Sequence, residues 1–394
     1  VAAVMTGFLL SRSLLSSGLI LMIANGFLQP DWKERVKTFF ENHFAAGISA
    51  LFLLPLISGL WSEDTGEWIN RCRIQLPLLL LPFSMVIQKG VEKKHFVLLS
   101  VFWIVLLFAG SAWSIAQYIS DVNLFHSLYH RSKVIPVPAD DDHIRFSIAI
   151  IIAILLWLKI IEWKYFQLAV IKITGSAIIL WLVVFLHITG VKTGLLGFYM
   201  IVLPVLFLQL WAAGKKTIVF LLVLAGFSMP FIAYKAFPTF RARAQYVVMD
   251  WQHWSKENYT GNFSDGNRIL TMRAGLDIVK NNFLTGVGYG DIKKRVSSWF
   301  DKNAPHIPVT ERYLPLNQWL TTGSATGIAG MLLFSAVILL PFFSRQWLQN
   351  KHAASFICYM SIIFMYECTI EDQFGVFIFS FFSMWWNTCN RLKD

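Results

Sequence analysis

The residues best suited to chemistry begin with Arg268, in the stretch Asp265-Gly266-Asn267-Arg268, which runs on to a glycine turn, Gly286-Val287-Gly288-Tyr289-Gly290-Asp291. Lys192 stands in a second polar break, Ile188-Thr189-Gly190-Val191-Lys192-Thr193-Gly194, between two strongly apolar stretches. A guanidinium grips a phosphate through paired N–H groups, whereas an ammonium acts as a point charge. Together they suit the diphosphate of a lipid-linked substrate at a membrane surface. The glycines beside Lys192 allow close backbone approach. The turn at 286–290 is not a dinucleotide fingerprint, because a helical-looking stretch over 267–282 precedes it and no strand does. Its simplest role is to end that helix; a phosphate contact through its backbone N–H groups is secondary.

Further polar residues fall on the same side of the apolar runs: His143 and Arg145, Arg273, His306, Asn317 and Gln318, then Glu367, Glu371 and Asp372. Taken singly, such residues more often snorkel or pair with a neighbour than bind a ligand. Gathered on one face they favour a site, because ionisable groups at or inside a bilayer are costly. No Asp or Glu stands near the middle of an apolar run, which argues against a proton- or ion-coupled transporter. The four cysteines, Cys72, Cys358, Cys368 and Cys389, have neither metal-ligand nor disulfide-framework spacing.

Composition says what must hold these residues. Of 394 residues, 56% are hydrophobic, 15% aromatic and only 14% charged. A soluble domain of this size does not carry so much apolar surface. The apolar residues fall in runs that can cross a bilayer core, at about 20 residues per helix, so the chain is predicted to be an all-α polytopic membrane protein. Runs near 1–11, 14–28, 43–61, 76–88, 96–118, 144–162, 166–189, 193–213, 217–236, 316–343, 353–370 and 374–390 predict about twelve transmembrane helices. The fourth is short and starts at Pro77, a residue suited to a first helical turn.

The net charge of +11 sits in short loops. These hold Lys33, Arg35 and Lys37; Lys89, Lys93 and Lys94; Lys215 and Lys216; Arg345 and Lys351; and Arg391 and Lys393. That is the pattern of a cytoplasmic orientation signal rather than of nucleic-acid binding. With these loops inside, the runs alternate and both termini fall inside. The outer side then receives 62–75, 119–143, the turn 371–373 and the segment 237–315, which is too long for a plain connection and is expected to form an ordered cap with interfacial helices. The expected organisation is about nine helices over 1–236, the external loop 237–315 and about three helices over 316–394. The chain opens at Val1 rather than Met, which reads as a trimmed start, and its first apolar stretch lacks a signal-peptide cleavage pattern and reads as the first span.

Six motifs in this order resemble the O-antigen ligase and polymerase superfamily: HIRFS at 143–147, KTGLLGFY from Lys192, DGNR at 265–268, GVGYGD at 286–291, NQWL at 317–320 and ECTIEDQFGVFIF at 367–379. They span nearly the whole chain and look like the branch of O-antigen ligase family proteins. The resemblance implies a bundle with a capping external loop in the inner (cytoplasmic) membrane, its active face periplasmic. It implies glycosyl transfer without metal or cofactor, from a polyprenyl-pyrophosphate-linked glycan donor to a glycolipid or glycan acceptor. For a ligase the acceptor is a lipid A-core; for a polymerase it is another repeat unit. Membrane lipids are the remaining partners, and nucleic acid is not one.

On that reading Arg268 and Lys192 hold the pyrophosphate as negative charge develops on it, and Arg145 supports them. His306 or Glu367 takes the acceptor's proton, while Asn317 and Gln318, with His143 and Arg273, bind substrate. Two positions depart from the family pattern. Lys192 stands where arginine is usual, and Leu316 stands before Asn317 where histidine is usual. Lysine keeps the charge but loses the fork, and leucine cannot act as a base. From other functional classes, a lipid-linked glycan carrier or a non-catalytic assembly protein are the alternatives.

Overall fold

The computed structural model describes residues 1–29, 31–88, 91–129, 134–255 and 264–392. Lys89 and Lys393, two of the basic positions above, lie outside them. Among these residues every regular element is helical. The first part comprises α1 (Ala2–Leu10), α2 (Arg12–Phe27), α3 (Trp32–Glu41), α4 (His43–Leu51), α5 (Leu53–Ser58), α6 (Thr65–Ile87), α7 (Lys93–Ser120) and α8 (Val122–Tyr129). Then come α9 (His143–Glu162), α10 (Ala169–Thr189), α11 (Lys192–Gly197), a π turn (Phe198–Val202), α12 (Leu203–Ala212) and α13 (Lys216–Ala236). The segment 237–315 carries α14 (Pro238–Ser255), α15 (Ser264–Asn281) and α16 (Ile292–Asn303). The remainder is α17 (Gln318–Leu339), α18 (Arg345–Gln349), α19 (Lys351–Phe364) and α20 (Gln373–Arg391).

Polar breaks in the sequence start helices by capping them. Asp64 accepts from Glu67 N at 2.9 Å, Asp142 from Arg145 N at 3.0 Å, Asn317 from Leu320 N at 3.0 Å and Asp372 from Gly375 N at 2.9 Å. Each cap satisfies an otherwise orphaned N–H and contributes about 1 kcal/mol. All four sit at the end of the bundle that carries the site.

Among the described residues, six helices are long and apolar enough to cross a membrane: α7, α9, α10, α11 running into α12, α13, and α17 with its short extension. The count rises to seven if α2 and α3 form one bent span. The twelve expected from apolar runs are not reached on this measure. The run at 43–61 splits into α4 and α5, and α1 and α19 are shorter than the about 20 residues a span needs. The short span expected at Pro77 is instead the middle of α6, which begins at Thr65 and contains both Pro77 and Pro82. Counting runs treats each as one straight rod, whereas prolines are accommodated in such helices when neighbours satisfy the freed backbone groups.

The bundle centre is α9 and α20. Nearly every residue from Phe146 to Trp157 and from Phe374 to Asn387 is buried. Phe96 of α7 stacks on Trp385 with ring centres 4.9 Å apart, and Phe381 stacks behind it at 5.6 Å. By contrast, α13 exposes Phe220, Leu224, Phe227 and Phe231 and packs chiefly on α12 and α14. A helix that is apolar all round is buried either in protein or in lipid, and the structure assigns α9 to the first and α13 to the second.

Antiparallel packing sorts the charges to two ends. At one, Glu162 accepts from His352 Nε2 at 2.8 Å and from Gln209 Nε2 at 3.1 Å, and pairs with Lys351 at 3.1 Å, tying the ends of α9, α12 and α19. At the other, the starts of α9, α11, α17 and α20 meet the ends of α10 and α19, and the helices of 237–315 pack across them.

Candidate functional site

The site is built around the loop that joins α19 to α20. Arg268, on the first turn of α15, donates from Nη1 to Tyr366 O at 2.6 Å, and its Nη2 stands 2.6 Å from Glu367 Oε1. Glu367 is 2% exposed, and the contact is an ion pair without a well-aligned hydrogen bond. Asn317 Nδ2 donates to Met365 O at 2.7 Å, and Gln318 accepts from Ile370 N and donates to Glu371 Oε1, both at 3.0 Å. From α6, Gln75 donates to Glu371 Oε2 at 3.1 Å, and Arg71 stands 3.6 Å from the same oxygen. Arg145 of α9 pairs with Asp372 and lies 3.6 Å from Asp142. Burial raises the carboxyls of Glu371 and Asp372 above the usual range, with Arg71 and Arg145 respectively opposing it. Four helices thus converge on a short loop, because its acidic residues and free carbonyls need partners that its own chain does not supply.

Lys192 opens α11 and pairs with Asp265, on the same turn of α15 as Arg268. That turn is capped by Asp250 of α14, whose Oδ2 accepts from Asp265 N at 2.7 Å and whose Oδ1 accepts from Gly266 N at 3.2 Å. Burial raises the Asp250 carboxyl. Asn267 Nδ2 donates to Glu311 O at 2.7 Å. Every residue of the Asp-Gly-Asn-Arg motif therefore has a partner from elsewhere in the chain. About two helical turns beyond Lys192 on the same helix, Tyr199 opens an apolar groove of about 570 Å³ between α12 and α13, lined also by Leu203, Pro204, Phe207, Phe227 and Pro230.

The glycine turn offers no amides to a ligand. Gly286 N donates to Asn282 O at 2.9 Å, Val287 N to Ser324 O at 2.8 Å and Gly288 N to Ala325 O at 2.9 Å. Tyr289 N and Gly290 N donate to Ser58 Oγ and Ser62 Oγ at 3.2 and 3.3 Å. Asp291 accepts from Glu63 N at 2.7 Å and Asp64 N at 3.3 Å. The turn is a strut between α15, the start of α6 and the point where α17 kinks at Gly327. Gly286 has φ +66°, and a Cβ there would lie 2.3 Å from the carbonyl carbon of Ala325, so the position demands glycine. The turn does end the preceding helix; the secondary expectation of a phosphate cradle is corrected, because its N–H groups are already engaged.

Residues 177–335 match the family model described as O-antigen ligase. That segment, about two fifths of the chain, is similar to the O-antigen ligase family. The matched O-antigen ligase segment runs from α10 into α17 and so takes in Lys192, Asp265, Arg268, Asn317 and Gln318. Arg145 and Glu367 lie outside it, and Glu367 joins it through the ion pair to Arg268. No curated protein matches the chain.

Around the O-antigen ligase segment the predicted site residues sort by what they touch. Lys192 and Arg268 meet at the edge of the site through Asp265 and its turn. Asn317, Gln318, Arg145 and Glu367 are engaged with the 365–372 loop, Asn317 and Gln318 through their side-chain amides. Arg273 and His306 stay apart. Arg273 is exposed with its guanidinium 5.0 Å from the centre of the Trp254 ring. His306 is exposed after α16, and no described contact joins it to Arg268, Lys192 or Glu367. His143, at the start of α9, lies near Asp141 and Arg243. At the family's histidine position, Leu316 contributes a backbone N–H to Thr271 Oγ1 at 3.4 Å.

Sequence reasoning missed Arg71, Gln75, Asp250, Tyr366 and Arg243. The Tyr366 hydroxyl is buried without a hydrogen-bond partner beside Arg268 and Glu367, and burial pushes it up, so it stays a neutral hydroxyl. A signal for Arg243 was present. Arg241 and Arg243 stand in a segment assigned to the outside, where the positive-inside bias disfavours them.

Proposed function

We propose that this protein transfers a glycan from a polyprenyl diphosphate to a hydroxyl of a glycolipid acceptor such as lipid A-core, as an O-antigen ligase does, at the periplasmic face of the inner membrane. The observation that carries this reading is the placing of Lys192 and Arg268 at one end of the bundle, with an apolar groove beginning about two helical turns beyond Lys192. The cations suit a diphosphate, and the groove suits the first isoprene units behind it. In the reaction the acceptor oxygen bonds to the anomeric carbon as the carbon–oxygen bond to the diphosphate breaks, and the polyprenyl diphosphate leaves with the electron pair. Fixed cations stabilise that growing charge, and Asp265 and Glu367 hold them in position beforehand. Leu316 supplies no base. The acceptor hydroxyl becomes acidic as it bonds to carbon, and its proton passes to an oxygen of the departing phosphate.

The basic loops at Lys215, Lys216, Arg345 and Lys351 lie at the opposite end from Lys192, which supports an outward-facing site. Shorter helices such as α4 and α19 would complete the alternation of about twelve crossings. The test is gene deletion with surface glycolipids resolved on a gel, complemented by wild type or by Arg268→Ala. Loss of the long-chain ladder, with polyprenyl-linked polymer accumulating and no rescue by the variant, supports the ligase reaction. A ladder collapsed to a single repeat unit means a polymerase instead, and an intact ladder refutes both.

A further inference from the structure

Of the three cations beside the Asp-Gly-Asn-Arg turn, one has no ion-pair partner among the described residues. Lys192 is paired with Asp265 and Arg268 with Glu367. Arg243 has no carboxylate within ion-pair distance among the described residues, and its Nε and Nη1 are buried without a hydrogen-bond partner. Its guanidinium stands 5.4 Å from the centre of the Tyr246 ring, and Asp265, already paired with Lys192, acts on it from beyond ion-pair distance. Yet it lies close enough to Lys192 and Arg268 for the like charges to act on one another. Burying a guanidinium against two further cations, with N–H groups unmatched, is costly unless something else supplies the negative charge.

The fold places Arg243 there by specific contacts. Phe240, one turn earlier on α14, stacks on His187 of α10 with ring centres 6.3 Å apart, and Thr239 Oγ1 donates to Ile188 O at 2.5 Å. These seat α14 over the break between α10 and α11. At that break Gly190 takes φ +63°, and a Cβ on it would stand 3.3 Å from Arg243 Cβ. A side chain at 190 would thus press on the stem of Arg243, which rests over the turn that leads into Lys192. Arg241, on the same helix, provides a contrast. It is exposed and donates to the carbonyls of Tyr234 and Lys235 at the end of α13, at 3.3 Å each.

We infer that Arg243 is a diphosphate-binding residue of this site, its unmatched N–H groups completing with Lys192 and Arg268 a three-cation cradle for the phosphates of a polyprenyl diphosphate. The assignment rests on the transferase reading. It also changes the order of events there. Two of the three cations are neutralised before the donor arrives, so Arg243 makes the first uncompensated contact and the others release their carboxylates only partly. The shared chemistry is a phosphate on a lipid, and a phospholipid headgroup is the other source of it.

The test uses the purified full chain in detergent micelles, titrated separately with farnesyl diphosphate and with phosphatidylglycerol, for wild type, Arg243→Ala, Arg243→Lys and Arg241→Ala. Arg243→Ala is expected to weaken farnesyl diphosphate binding by about tenfold or more, as loss of a hydrogen bond to a charged group does. Arg243→Lys should lose less, and Arg241→Ala nothing. In transfer assays the donor KM should rise more than kcat falls. Without ligand, Arg243→Ala should melt at or above the wild-type temperature, because it removes an unpaired buried charge, while the stabilisation that farnesyl diphosphate gives the wild type is lost. Unchanged farnesyl diphosphate affinity overturns the inference, as does a lowered melting temperature with affinity retained. Loss of phosphatidylglycerol binding alone would make Arg243 a headgroup site and overturn it too. If the wild type binds no farnesyl diphosphate, the transferase reading fails with it. If Arg268→Ala abolishes transfer while Arg243→Ala keeps its affinity, only the role of Arg243 falls.

Discussion

Replacing Arg268 by alanine removes a cation from the proposed diphosphate site and a partner from Glu367 at the same time. Glu367 is 2% exposed and its Oε1 lies 2.6 Å from Arg268. Leaving a buried carboxylate without its ion-pair partner costs about 3–5 kcal/mol. The lower end applies, because 23% of the Arg268 side chain meets solvent. Losing one fixed donor to a developing oxyanion costs roughly 10²–10³ in rate, or about 2.7–4 kcal/mol. The two effects are the same size, so the single substitution does not separate a damaged fold from a damaged site. Adding Glu367→Gln does, since an amide of the same shape removes the stranded charge. Arg268→Ala should lower the melting temperature of the protein in nanodiscs, and the double variant should recover most of the loss, with a coupling of about 2 kcal/mol. Transfer of labelled glycan from a synthetic donor, measured on the same preparations, should stay roughly 10²-fold or more below wild type in both. A double variant that regains near-normal transfer would mean that Arg268 only fixes the 365–372 loop, and the catalytic argument would be refuted.

Three other substitutions probe the scaffold, the loop and the groove. Gly286→Ala forces a side chain into the left-handed region and against Ala325; it should cost at least about 1 kcal/mol and reduce the yield of monodisperse protein on size exclusion, and an unaffected yield and melting curve would remove the strut from the account. Glu371 is raised above its ordinary value of 4.5 chiefly by burial. A raised acid contributes its full stability below the ordinary value and loses it as pH climbs through the raised one. Wild type should therefore gain on Glu371→Gln in melting temperature as the pH falls through that window, and a wild type that loses ground on acidification contradicts the assignment. Gly226→Phe puts a ring into the groove between α12 and α13, where a Cβ already approaches Leu203 at 3.1 Å. It should raise the KM for a long-chain donor more than for a farnesyl-linked one, and equal effects on the two would detach the groove from the polyprenyl chain.

Several parts of this molecule were legible in the residues themselves. The apolar runs required a helical membrane protein, because a backbone in lipid must satisfy its own hydrogen bonds. The ends of the apolar runs near 144, 316 and 374 fell close to the starts of α9, α17 and α20, and the Gly286 turn marked the end of α15, since these depend on a few neighbouring positions. Alternation of the runs was enough to put Lys192, Arg268, Glu367 and Asp372 at one end. Other features needed the fold. Both α9 and α13 read as apolar on every face, and only packing made the first a protein core and the second a lipid-facing wall. The pairing of Arg268 with Glu367, of Arg145 with Asp372 and of Gln318 with Glu371 joins positions remote in the chain. Local periodicity carries no information about which distant charge a side chain will meet. For the same reason the glycine turn looked open to a phosphate until α17 and the serines at 58 and 62 took its amides, and only the packing of α14 brought Arg243 to the turn before Lys192. Hydrophobic pattern and capping are short-range properties and belong to the sequence; the neutralising partner of a charge, or its lack of one, is settled only when the helices have packed.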